Sequence, residues 1–498
     1  MPQPSLNELV SKMNGRDSTN KWDVVVSYSA EQLNSFLKTA YAGNKLVSKV
    51  VLNSRTYIKQ IKKYYEDTYT INLQAPTIEF LLGQRGMARL VMPIGEGSTY
   101  ETKEEGTSGP GEVTKLPAGK YSVVATVPLA VISGDKKVAD QGTVVNFTSN
   151  NVSDHQIVLH FQKVDGTTFE ITPPPSGDDP DLDSILPELR KYFQQKVTEV
   201  DYVLTGINNR QSTDGNMLLT PKSFTFASTG TEGASCLSLF INVDQSGNSQ
   251  GNPNPSFQPG DSQISPIPAG HTASIIISNY VMTTTFIKKR LEDAGFTVTV
   301  ETQATGSLLS LKKNVSVIAR GDNGRYIFSG YDYEGLNVNM QDHPLKLSIA
   351  DGKASAEWSG STRSEWYEYT AGSRTGKYGK VDIQLGMKKG PLAIGVSDDS
   401  VAFPEFKFER SDFTLGSSAA GCSFLDRIGG CMEIVPNFYK DKDAMNLQIP
   451  SISFALKGLD YFLETNLLEP SKQMIEVDSG VGLSTPRDFL IVGKVAAH

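Results

Sequence analysis

Cysteine is scarce in this chain of 498 residues: Cys236, Cys422 and Cys431 are all there is, too few for a disulfide framework. Eight residues separate Cys422 from Cys431, wider than a zinc-ligand pair, whose spacing is about two to four. The three are therefore read as small buried hydrophobes, with one Cys422–Cys431 bridge as the alternative. Histidine is equally sparse. His155, His160, His271, His343 and His498 form no His-Glu-x-x-His pattern, which leaves metal hydrolysis without its ligands. His155 and His160, five apart in a strand-like stretch, would face opposite sides of it.

No apolar run approaches the ~18 residues that would span a bilayer, so no transmembrane segment is expected. The opening "MPQPSLNELVSKMNGRDST" lacks the basic then apolar regions of a signal peptide. The expected location is the cytoplasm at synthesis, with any release by another route. An excess of basic residues is also missing: 47 Lys and Arg stand against 55 Asp and Glu, a net charge of −8. That argues against nucleic acid as a partner. No cofactor motif is complete. "GSRTGKYG" at 372–379 has its glycines one residue too close for a phosphate loop and Tyr378 where Ser or Thr would hold magnesium, and it reads as a turn. "DQSGNSQG" from Asp244 has Ser249 and Pro255 at the glycine and glutamate positions of a calcium loop. The acidic run "GDDPDLD" is accounted for by the helix that follows it. No Gly-x-Ser-x-Gly elbow precedes a helix. Asn146, Asn151 and Asn314 open sequons that carry no meaning without secretion. Catalytic residues and metal ligands are thus expected to be none, and the chain is read as a non-enzyme.

What is present is amphipathic. With 38% hydrophobic and 20% charged residues the chain can bury an extensive core. In "KWDVVVSYSAEQLNSFLKTAYAGN", Val24, Val25 and Val26 predict a short edge or entry strand. Leu33, Phe36, Leu37, Ala40 and Tyr41 then recur on one face of a helix. Ser29 with Gln32 reads as its capping box and Gly43 as its left-handed exit. Alternating segments follow, divided by Gly, Pro, Asn and Asp, as in an antiparallel sheet. A second helix is expected in "DSILPELRKYFQQKVTEV", capped by Asp183, with Pro187 in the first turn and Ile185, Leu189, Tyr192, Phe193 and Val197 on one face. The polar stretch 244–264 is expected to be a mobile loop.

The opening pattern returns at "ASIIISNYVMTTTFIKKRLEDAG", where Phe286, Ile287 and Leu291 take the roles of Phe36, Leu37 and Tyr41. More strands follow, then a fourth helix, "ALKGLDYFLETNLLEP". Trp358, Trp366 and Tyr367 bracket "SGSTRSEW" and are read as core or cross-strand aromatics, with a membrane or glycan anchor as the alternative. Helix, sheet, helix occurs twice, which predicts an α+β architecture of long antiparallel sheets wrapped around amphipathic helices, in two related lobes.

The segments "WDVVVSYSAEQLN" at 22–34, "LTPKSFTF" at 219–226, "IPAGHTASIIIS" at 267–278 and "TNLLEPSKQMI…TPRDFLIVGKV" at 465–495 together resemble the P-47 family, relatives of the OrfX proteins encoded beside clostridial neurotoxins. Asn466, Leu467, Leu468, Pro470, Pro486 and Asp488 fit its closing pattern; Glu469 and the polar "SKQ" depart from it. The resemblance implies an elongated fold of the tubular lipid-binding (TULIP) type, a lipid or other apolar ligand, and a toxin or companion P-47/OrfX-type protein as partner, in some relatives an insecticidal one. The expected division is a flexible segment 1–19, a first lobe 20–200, connecting strands 201–275 and a second lobe 276–498. Leu33, Phe36, Leu37, Phe286 and Ile287 are the groove candidates, or else core. The alternatives are a scaffold with filled lobes that binds a toxin subunit without lipid, and a directly insecticidal, membrane-active protein.

Overall fold

In the computed structural model, the Val24–Ser29 strand is central, not at an edge. It pairs antiparallel with Ala234–Val243 on one side (Val24↔Ile241, Tyr28↔Leu237) and with Ala273–Ile277 on the other (Val24↔Ile277, Tyr28↔Ala273). All six of its residues are buried, as are all of its two neighbours. A strand covered on both faces needs apolar or small residues at every position, and an unbroken valine run supplies them. The structure describes residues 2–495 except 85, 134–137, 148–153, 164, 176–181, 198–201, 209–219, 245, 248, 250, 262, 315, 322–328, 334–336, 371–372, 398–399, 436–437, 441–446 and 456–474. The expected fourth helix, most of the acidic run and the Asn466–Pro470 pattern lie outside them.

The chain forms two units: Met1–Ser278 with Ala455–Val481 and Leu490–His498, and Asn279–Phe454 with Gly482–Phe489. In the first, a seven-stranded sheet runs in the order Val145–Asn146, Pro221–Thr231, Ala234–Val243, Val24–Ser29, Ala273–Ile277, Phe489–Val495, Ile475–Val477. The two copies of the repeated strand are thus antiparallel neighbours. One face of this sheet, with Val25, Phe240, Ile276, Leu490 and Val492, packs on Trp22, Phe257 and Ile264 and on Leu9 and Met13 of helix α1 (Leu6–Met13). Two expectations fail here for one reason. Segment 1–19 contains a helix anchored by Leu9 and Met13. The stretch 244–264 is tied down by Phe257 and Ile264 in the core and by Trp22 Nε1 donating to Asn252 O at 2.9 Å. A few apolar anchors outweigh a polar, glycine-rich composition. The segment read as connecting strands supplies three strands of this sheet.

Helix α2 (Ala30–Ala42) opens as expected, with Ser29 Oγ accepting from Gln32 N. Its exit differs: Gly43 has φ −79° and the left-handed residue is Asn44, at φ 55°. Asn34 ties α2 to the backbone of the Thr77–Phe80 strand, accepting from Ile78 N at 2.6 Å and donating to Ile78 O at 3.2 Å. That strand begins a second sheet, with Met87–Pro93, Ser122–Ser133, Asp154–Leu159 and Val203–Asn208 following in order. Helix α3 (Leu186–Lys196) brings Phe193 within 5.2 and 5.4 Å of the Phe161 and Phe169 rings. Asp183 does not cap it; a 3₁₀ turn, Leu182–Ile185, leads in, with Pro187 at the tolerated start.

In the second unit the repeated helix begins as a π-helix, Val281–Ile287, and continues as α4 (Lys288–Asp293). Thr283 Oγ1 donates to Asn279 O at 2.7 Å, a back-bond that competes with the regular helical ladder. Asp488, singled out in the closing pattern, accepts from Asn279 N at 3.0 Å. The sheet runs Thr297–Thr302, Ser307–Lys312, Leu345–Ala350, Lys353–Thr370, Ser373–Ala393, Phe413–Ala419. Its central hairpin, Lys353–Thr370 with Ser373–Ala393, absorbs "SRTGKYG", which is strand and not turn. Antiparallel sheets packed with amphipathic helices make the fold α+β, as the periodicities predict.

Candidate functional site

At the far part of that long hairpin, residues 373–378 are solvated while Val381, Ile383, Leu385 and Met387 turn into the core. This outer part carries a ten-residue loop, closed by a disulfide between Cys422 and Cys431. The reading of these cysteines as buried hydrophobes is therefore corrected; only Cys236 is a buried free thiol, its pKa pushed up to about 11 by burial. Inside the loop is α5 (Phe424–Ile428), a single turn far below the length at which a helix is stable alone.

Polar contacts hold it from behind. Ser423 and Asp426 form a capping box. Asp426 accepts from Lys380 Nζ at 3.0 Å and from Tyr378 OH at 3.2 Å. Arg427 donates to Glu433 at 2.8 Å, Met432 N to Tyr378 O at 2.6 Å, and Trp366 Nε1 to Ile434 O at 3.1 Å. The hydrogen bonds from Ser423 and then Lys380 hold the Asp426 carboxyl well below the usual carboxylate range. Partial burial and then the Asp426 charge raise the Tyr378 phenol, and Asp426 raises Lys380.

With Asp426 turned to the hairpin, a spacing of i, i+1, i+4 gathers Phe424, Leu425 and Ile428 on the opposite side. They are 78%, 78% and 70% exposed. Burying side chains of this size releases roughly 1.5–3 kcal/mol each, and here that energy is left unspent. Exposed apolar clusters are candidate interaction sites. A signal for it stood in the sequence: "CSFLD" has the Ser-x-x-Asp cap and adjacent large apolar residues between two cysteines.

The groove candidates lie elsewhere. Leu33 and Leu37 are buried in the first unit and Phe36 is half-buried; Phe286 and Ile287 are buried in the second. Cavities of about 560 Å³, at Asp17, Asn20, Lys21, Asn252 and Gln258, and about 670 Å³, at His343, Ser361, Gln384 and Thr414, have polar walls and none of these five side chains. Trp358 and Trp366 are buried, and Tyr367 stacks 6.1 Å from Tyr378. His271 pairs with Asp478 at 3.2 Å. Among the described residues no three His, Cys, Asp or Glu side chains converge as a metal site, and no helix is long and apolar enough to cross a membrane.

No family model matches this chain, and no curated protein matches it. Among solved structures it is similar to P47 from Clostridium botulinum A2, at 14% identity over 96% of this chain and 98% of that one, with a TM-score of 0.48. It is also similar to lipopolysaccharide binding protein, at 12% identity over 95% and 99% of the two chains, with a TM-score of 0.26.

Proposed function

We propose that this chain is a non-enzymatic binding protein that engages lipid or another apolar surface through the disulfide-clamped knob Phe424–Leu425–Ile428. The exposure of these three side chains on a loop held rigid from behind is the observation that carries the reading. Preorganisation lowers the entropic cost of binding, so the apolar contact is available without refolding. The P-47 resemblance supports reading such binding as accessory to, or a component of, a protein toxin. Leu33, Phe36 and Leu37 in the first unit, and Phe286 and Ile287 in the second, enter this reading as apolar positions that an acyl chain would have to open within each unit.

The test is flotation with neutral phosphatidylcholine vesicles, beside native mass spectrometry of the purified protein. The double variant Phe424→Ser, Leu425→Ser removes two of the three anchors, and vesicle partition falls at least tenfold, given roughly 1.5–3 kcal/mol per anchor. Equal flotation of both proteins removes the knob from the reading. A second reading is favoured by the burial of Leu33, Leu37, Phe286 and Ile287: a scaffold with filled lobes whose knob docks on a companion protein. It predicts a clean protein mass and no flotation. Leakage of vesicle contents would instead favour the directly membrane-active, insecticidal alternative.

A further inference from the structure

A second exposed apolar cluster lies in the first unit, at the turn between the strands Lys49–Ile58 and Lys63–Asn72. Their register pairs Tyr57 with Tyr64 and Ile58 with Lys63, so Lys59, Gln60, Ile61 and Lys62 form the apex. Ile61 is 49% exposed, and Tyr57 and Tyr64 are 45% and 44% exposed with ring centroids 4.7 Å apart. Lys59 and Lys62 flank Ile61, and among the described residues neither has an ion-pair partner. The cations nearer the sheet are matched: Arg55 binds Glu105 at 2.7 Å and lies 3.9 Å over the Tyr64 ring, and Lys63 binds Glu104 at 2.8 Å. Two unmatched positive charges thus stand at the apex, where the aliphatic side chain also projects.

We infer that this hairpin tip binds the surface of a bilayer containing anionic phospholipid. The order of side chains along the hairpin matches the order of environments at such a surface. Ile61 leads. Tyr57 and Tyr64 follow behind the turn, one strand residue (about 3.3 Å) inside the last paired positions Ile58 and Lys63, in the order in which aromatic rings settle among headgroups. Lys59 and Lys62 extend their charged ends to the phosphates while their stems cover apolar surface. Overall the chain is acidic, with net charge −8. Screening over about 8–10 Å limits that repulsion and lets a local pair of cations decide. This site stands independently of the α5 knob and adds a preference for charge that the knob lacks.

Flotation of the full chain with phosphatidylcholine vesicles, with and without phosphatidylserine, is the test. Phosphatidylserine raises partition at least tenfold in the wild type. Lys59→Gln with Lys62→Gln lowers it on the anionic vesicles about thirty-fold, the equivalent of ~1 kcal/mol per lysine, and leaves neutral vesicles unaffected. Ile61→Ser weakens binding to both, and the Phe424→Ser, Leu425→Ser protein keeps its preference for phosphatidylserine even where its neutral binding is lost. An unchanged melting curve verifies the fold of each exposed-loop variant. Equal partition of the wild type on both vesicles, or no response to the lysine pair, overturns the inference. Displacement by soluble polyglutamate together with indifference to Ile61→Ser also overturns it, and assigns the tip to an acidic protein.

Discussion

Asp426 is the residue on which the knob's orientation turns. Its carboxylate meets Ser423, Lys380 and Tyr378 together, and its pKa is depressed by these bonds. A depressed carboxylate contributes stability that is complete above the ordinary Asp value of about 3.9 and is lost as pH falls through that value toward the folded one. Lys380 and Tyr378 are raised, so their contribution holds below their ordinary values and is lost as pH rises past them. The loop 422–431 should therefore be protected over the neutral plateau and loosen at both extremes. Amide exchange of the 424–432 amides, measured from pH 7 down to pH 3 after correction for intrinsic rates, should show protection falling below about pH 4. Asp426→Asn should show reduced protection already at pH 7 and no such fall. Protection that is flat in the wild type would show that the carboxylate does not hold the turn.

At the scale of elements, the clamp is covalent as well as polar. Closing a loop of this length removes unfolded-state entropy equivalent to about 2.5 kcal/mol, while α5 alone has too few residues to hold its turn. Reduction of Cys422–Cys431 should speed tryptic cleavage at the exposed Arg427 by an order of magnitude or more and leave the unfolding midpoint of the first unit unchanged. An unaltered cleavage rate would mean that the polar contacts suffice. The same region shows why some elements were legible and others not. Helix α2 declared itself because its apolar period and its cap lie within fourteen consecutive residues. The long hairpin did not, because "GSRTGKYG" reads as a turn and the hairpin's own glycines, Gly360 and Gly379, carry no strand signal. They are packing slots: a Cβ at Gly360 would lie 2.4 Å from Val338 Cγ1, and one at Gly379 2.4 Å from Trp366 Nε1. A glycine that admits a tryptophan and one that bends a chain look alike in sequence. The knob is hard to read because a five-residue helix is too short to show an apolar period, and its Ser423–Asp426 cap is its main local mark.

At the scale of the whole molecule, the chain returns to a unit it has already left. The return of Leu490–Val495 to the first unit was not legible, since "FLIVGKV" carries no mark of a partner distant in sequence. Yet this strand lies between Ala273–Ile277 and Ile475–Val477 in the first sheet, with Thr272 N donating to Gly493 O at 3.1 Å and Leu490 and Val492 in the core. A fragment ending at Ser278 would therefore expose Ile276 beside an unpaired strand edge, a template for association. Expressed alone, residues 1–278 should be aggregation-prone and melt without a cooperative transition. Joined through a short flexible linker to residues 475–495, the same fragment should be soluble and melt cooperatively, because those residues supply two strands and two core side chains. Cooperative melting of 1–278 by itself would show that the returning strand only covers a sheet already stable without it.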